Sequence, residues 1–247
     1  MTTADRWTRA VREQVGLGRL LPLGGSRDGA WIAERAAAAV LRRTAARNVP
    51  GVRLDGVRIA LADPDRADEP VVPPPPSALP PGALRLTAEF AATAGRPLPE
   101  TASLLRTVLA GAAEERIGLS VAEVDLRVAE LLDEEPSPAP PGDTEAGDSE
   151  PGGPEAGDRQ PGGTEAGRIA AVALAVPGVA RLTGMPGRPV HVTERPAGAA
   201  LPRRHVRVDL AVRPDHRAVD VALAVRAAVT DCLPDRPTVA VLVTAID

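Results

Sequence analysis

The sequence has no lysine and no tyrosine, one cysteine, three histidines and 1% aromatic residues. A single cysteine, Cys232, excludes a disulfide framework and a thiolate cluster around a metal. The aromatic side chains are Trp7, Trp31 and Phe90, so a surface that stacks bases has no platforms to build on. Long hydrophobic runs are missing too. The longest, residues 169–176, stops at Pro177, well short of the ~20 apolar residues that span a bilayer. The first 30 residues hold no continuous apolar stretch before a small-residue cleavage site, so the expected location is cytoplasmic. The basic residues are all Arg in an Ala-rich chain, a bias of composition from which no function follows.

Proline and glycine are abundant, 27 and 23 of 247 residues, which excludes a uniformly packed single globule. Two stretches read as unfolded. Residues 62–83 form a Pro-rich insert in which four consecutive prolines (Pro73 to Pro76) favour polyproline II. Residues 133–167 carry a decapeptide repeat beginning at Pro141, Pro151 and Pro161, acidic and rich in Gly and Pro. Such a segment buries too little apolar surface to offset its chain entropy. That linker carries a charge of −9, which leaves the rest of the chain at +5 within a total of −4. It reads as a solubilising spacer; the sharper reading is that it folds back on Arg-rich surfaces and competes with an anionic partner.

The remainder divides into two parts with the same order of signals. In residues 30–132, an Ala-rich helix (31–46) leads to the tetrapeptide VPGV at 49–52 and to a strand carrying Val57, Ile59 and Leu61. Leu84, Leu86, Ala88 and Phe90 then alternate as a strand with one buried face. Pro97 and Pro99 open a helix with an apolar stripe of Leu104, Leu105, Val108, Leu109, Ala112 and Ala113, and Gly118 ends it. Val124, Leu126 and Val128 alternate in a last strand. In residues 168–247 a short helix precedes a second VPGV at 176–179. A strand at Val190 and Val192 follows, then one in which Val206, Val208, Leu210 and Val212 alternate with Arg207, Asp209, Ala211 and Arg213. A helix with Val221, Ala222, Val225, Val229 and Cys232 on one side and a strand of Val239, Val241 and Val243 complete the order.

The fold class is therefore α+β. Two tandem helix-strand-strand-helix-strand modules are expected, each a small mixed sheet covered by helices on one face, joined by a disordered linker. Residues 1–29 stand apart as an N-terminal amphipathic segment, with Trp7 and Val11 four residues apart and Arg12 on another side. The second module is small and has no aromatic core, so it is expected to gain stability by packing on the first module or on another copy.

Residues 168–247 resemble the alkaline-shock, or envelope stress response, protein family. The resemblance is carried by VPGV at 176–179 with Gly184, the alternating strand at 206–212, the amphipathic helix at 219–233 and the closing strand at 239–243. The first module resembles a more divergent copy. The resemblance implies a non-enzymatic cytoplasmic protein that self-associates and is held near the cell envelope, typically by a partner membrane protein.

Candidate chemistry is sparse. His205 and His216 with Asp209 or Asp215 lack a third ligand at metal spacing and read as surface residues. Cys232 reads as a small buried hydrophobe. Glu114 and Glu115 are helix neighbours that point to different sides, and residues 16–25 lack the spacing of a phosphate loop, with 20–25 reading as a turn. No catalytic residue, metal or cofactor is assigned. The candidate partner contacts are Trp7, Val11, Arg12, Arg127, Arg207 and Arg213, facing protein partners, a small membrane anchor protein among them. The alternative is a small RNA-binding α/β protein that uses Arg42, Arg43 and Arg47 with Arg203, Arg204 and Arg207.

Overall fold

The computed structural model of the chain describes residues 18–134, 164–184, 188–197 and 200–247. Trp7, Val11 and Arg12 lie outside the described residues, as does the linker from 135 to 163. The chain is α+β, with four α-helices and nine strands among the described residues.

Two short strands open the description, β1 (Leu20–Leu23) and β2 (Ala30–Ala33), paired antiparallel with Leu21 opposite Ile32. This corrects two expectations, since residues 20–25 were read as a turn and Trp31 as the start of a helix. Every residue of both strands is buried, because two apolar quartets flank a glycine-rich turn in which Gly25 N–H donates to Asp28 Oδ2 at 2.7 Å. Such quartets are too short to show a helical or strand period, and local helix propensity then misleads. The helix α1 (Glu34–Asn48) begins at Glu34 instead.

The strands β3 (Val52–Leu61), β4 (Leu84–Thr93) and β5 (Val121–Leu132) form a sheet in that order. β3 runs antiparallel to β4 and β4 parallel to β5. The crossover is α2 (Leu98–Ala112), extended by a π-helical turn (Ala113–Ile117) and ended by Gly118 in the left-handed region. Leu84, Leu86, Ala88 and Phe90 are fully buried as their alternation predicts.

The insert 62–83 is not unfolded. Leu20 N–H donates to Ser77 O at 3.3 Å, Leu79 N–H to Leu20 O at 2.8 Å, and Val71 N–H to Ser26 O at 2.9 Å. Val72 is buried. The prolines cannot extend a sheet, but their non-proline neighbours pair once with β1 and so cover its edge.

The second sheet is built from the other half of the chain. β6 (Val179–Leu182) and β7 (Val190–Ala197) both pair antiparallel with β8 (Ala200–Val212), and β9 (Thr238–Ile246) lies parallel on its other side. α3 (Glu165–Ala175) precedes β6, and α4 (Ala218–Asp231) makes the crossover from β8 to β9. α3 starts inside the last residues of the expected linker.

From α1 to β5 the order is helix, strand, antiparallel middle strand, helix, parallel strand; from α3 to β9 the order is the same except for the additional strand β7 between β6 and β8, and β1 and β2 precede α1 without a counterpart. The VPGV segments occupy the same place in both. Gly51 (φ 77°) and Gly178 (φ 90°) each turn the chain from a helix end into a strand, a conformation that L side chains resist. Each glycine carbonyl accepts from the end of the middle strand: Thr93 N–H to Gly51 O at 2.9 Å, and Arg213 N–H to Gly178 O at 2.8 Å.

The two halves are not separate bodies. β2 pairs parallel with β9, placing Trp31 opposite Leu242, so an N-terminal hairpin completes the C-terminal sheet in the order β1-β2-β9-β8-β6. One continuous apolar core includes residues of both halves. Arg43 Nη2 donates to Ile246 O at 3.1 Å and Arg217 Nε to Glu114 O at 3.0 Å across the junction.

Candidate docking edge and arginine cleft

β5 has β4 on one side, and among the described residues no strand pairs with its other side. The matching strand β9 has β8 on one side and β2 on the other. β5 has 12 residues, and its apolar side chains run past the cover of α2. Val128 is 39% and Leu131 60% exposed, with Leu104 of α2 at 37%. A long edge with exposed valine and leucine is a template for another strand.

The outer face of this sheet is charged but compensated. Arg85 Nε donates to Glu123 Oε2 at 2.5 Å, and Arg53 bonds both Asp55 and Glu130 at 2.9 Å. These carboxylates hold both guanidinium groups above their ordinary pKa, through hydrogen bonds first and charge second. Arg127, an expected contact residue, is exposed within this ladder at 3.9 Å from Glu89.

Arg207 and Arg213 sit on the other sheet, so the structure does not bring the three arginines together. Arg213 is exposed just beyond β8. Arg207 is half-buried and engages the buried Asp209, so the positions alternating with Val206, Val208, Leu210 and Val212 do not form one exposed face. Asp209 and Ala211 are buried, and the loop before β7 returns to β8, where Asp209 N–H donates to Pro189 O at 2.9 Å. Burial pushes the Asp209 carboxyl up to about 6, against the lowering effect of Arg207. His191, opposite Arg207 on β7, is held below its ordinary value by burial first and by Arg207 and Arg188 second.

The histidines His205 and His216 take separate partners, Thr238 Oγ1 at 2.9 Å and Asp215 Oδ1 at 3.0 Å. Cys232 is exposed rather than buried, because α4 ends at Asp231 and the thiol at its cap bonds Val229 O at 3.2 Å.

Among the basic residues singled out in the sequence, Arg204 and Arg207 are held in ion pairs, whereas Arg43 and Arg47 open into a cleft. Arg204 is bonded to Glu165 and, at 3.0 Å, to Asp235. Arg43 and Arg47 lie one helical turn apart on α1 and line a small cleft with Arg116 of the π-helical turn and His216. Val40, Thr44, Pro214 and Ile246 complete the lining. Arg116 and His216 were invisible as members of this group, since only long-range packing brings them to α1. The spacing of Arg43 and Arg47 was the available signal. Compared with known proteins, the chain matches no family model, no curated protein and no solved structure.

Proposed function

We propose that this chain is a non-enzymatic structural or adaptor protein of the envelope stress response kind, working by self-association and protein–protein contacts on the cytoplasmic side of the cell envelope. The observation that carries the reading is the open edge of β5 beside exposed Val128 and Leu131, where the matching edge of β9 is already occupied by β2. A second copy of the chain, pairing β5 to β5 across a two-fold axis, satisfies that edge with main-chain hydrogen bonds and covers the apolar side chains. Among the described residues no helix is long and apolar enough to cross a membrane, so recruitment to an envelope goes through a partner membrane protein. The RNA-binding reading is weaker, because Arg204 spends its charge on Glu165 and Asp235 and the ladder arginines are paired.

Light scattering of the full chain across a concentration series tests the proposal. The expected result is a dimer that dissociates on dilution, and a monomer throughout for Val128→Lys combined with Leu131→Lys, with an unchanged circular dichroism spectrum. A wild-type monomer at every concentration, or a variant that assembles like wild type, overturns it.

A further inference from the structure

We propose that the cleft formed by α1, the π-helical turn and the turn between β8 and α4 is an anion site that takes a phosphoryl group. The inference does not rest on the β5 edge.

Three guanidinium groups, Arg43, Arg47 and Arg116, line one small depression. Among the described residues none of the three takes part in an ion pair, whereas Arg53, Arg85 and Arg204 each hold carboxylates. The nearby carboxylates are engaged elsewhere: Asp247 by Arg181 at 2.8 Å and Asp215 by His216 at 3.0 Å. Burial, then the charges of Arg47 and Arg116, lower the affinity of Arg43 for its proton, and Asp247 only partly offsets them. An anion in the cleft removes that repulsion.

Two further features fit an oxyanion. Thr44 lines the cleft, is 7% exposed, and its Oγ1 has no hydrogen-bond partner. A buried hydroxyl left unpaired is costly, and a phosphoryl oxygen accepts from it. Arg43 is fixed in place by its bond to Ile246 O at 3.1 Å, which reduces the ordering needed when a ligand arrives. The cleft has a volume of ≈ 50 Å³, above the roughly 10–15 Å³ needed to admit one water, and is small. That is the scale of a phosphoryl group and not of an enclosed nucleoside. Planar guanidinium forks suit its oxygens.

The test is calorimetric titration of the full chain with inorganic phosphate at constant ionic strength. A parallel arm measures sedimentation with phosphatidylglycerol vesicles, with phosphatidylcholine vesicles as reference. Saturable phosphate binding is expected, weakened roughly tenfold by Arg47→Gln and by Arg116→Gln and unchanged by Arg42→Gln, which removes the same charge outside the cleft. Binding to phosphatidylglycerol that phosphate displaces and Arg116→Gln abolishes assigns the phosphoryl group to a lipid headgroup; phosphate binding alone assigns it to a soluble phosphate. Absence of both, or equal loss in Arg42→Gln, overturns the proposal.

Discussion

Arg207 and Asp209 lie two positions apart on one side of β8 and form an ion pair with a single hydrogen bond, Nη2 donating to Oδ2 at 3.2 Å, while Nε and Oδ1, 3.0 Å apart, are left without a hydrogen-bond partner. Asp209 is 2% exposed, and the ion pair does not compensate its burial: the carboxyl still titrates near 6 rather than at its ordinary 3.8. The folded chain therefore binds this proton more tightly than the unfolded chain. Stability contributed by the group is fully present below pH about 4 and falls as pH rises to about 6. Above that the cost is constant, on the order of 3 kcal/mol. Asp209→Asn should remove this slope. Between pH 4.5 and 7.5, the stability of the variant relative to wild type should rise by about 2 kcal/mol in urea melts. A difference independent of pH counts against this account of Asp209.

Glu34 opens α1 and is buried, and its Oε1 accepts from Ile59 N–H at 2.8 Å, tying the helix to β3. Glu34→Ala leaves that amide unpaired inside the protein. A loss of about 1–3 kcal/mol is expected in chemical denaturation, with a smaller loss for Glu34→Gln, which keeps an acceptor in place.

The two VPGV glycines should differ in their tolerance of a methyl group. A Cβ at Gly51 comes 2.5 Å from Thr93 Oγ1, the end of a side chain that can rotate. At Gly178 it comes 2.6 Å from Cγ2 of the buried Val221 and 2.7 Å from the His216 ring. Gly51→Ala should cost about 1 kcal/mol for its positive φ, and Gly178→Ala about 2 kcal/mol or more. Thermal melts of the pair decide the order.

Trp31 belongs to the first half of the sequence but is packed in the sheet of the second, 1% exposed. In a Trp7→Phe background its fluorescence reports the joint between the halves. Denaturant transitions followed by this fluorescence and by circular dichroism should coincide, as one cooperative unit requires. Separate transitions indicate halves that unfold independently.

The sequence is most legible where a period is long enough to be counted. The alternation at 84–90 and, on α4, the positions Val221, Ala222, Val225 and Val229 are placed correctly, because each samples several repeats of the strand or helix period, whereas Cys232 at the helix end is exposed. It fails where burial is decided by partners far along the chain. The quartets at 20–23 and 30–33 carry no period, and only β9 explains why both sides of them are covered. Along β8 the charged letters Arg207 and Asp209 alternate with valine and leucine, yet Asp209 is as buried as its apolar neighbours. The cleft follows the same rule. Arg43 and Arg47 show in the sequence as a helical pair, whereas Arg116 and His216 reach them through tertiary contact.

The parallel pairing of Ala30–Ile32 with Val241–Val243 also sets a timetable. A chain emerging from the ribosome exposes its N-terminal apolar hairpin early, and the strand that receives it is made only after everything between them. Until then Leu21, Leu23, Trp31 and Ile32 lack their permanent neighbours, and the hairpin is open to capture by a chaperone or by the same hairpin of a nascent neighbour.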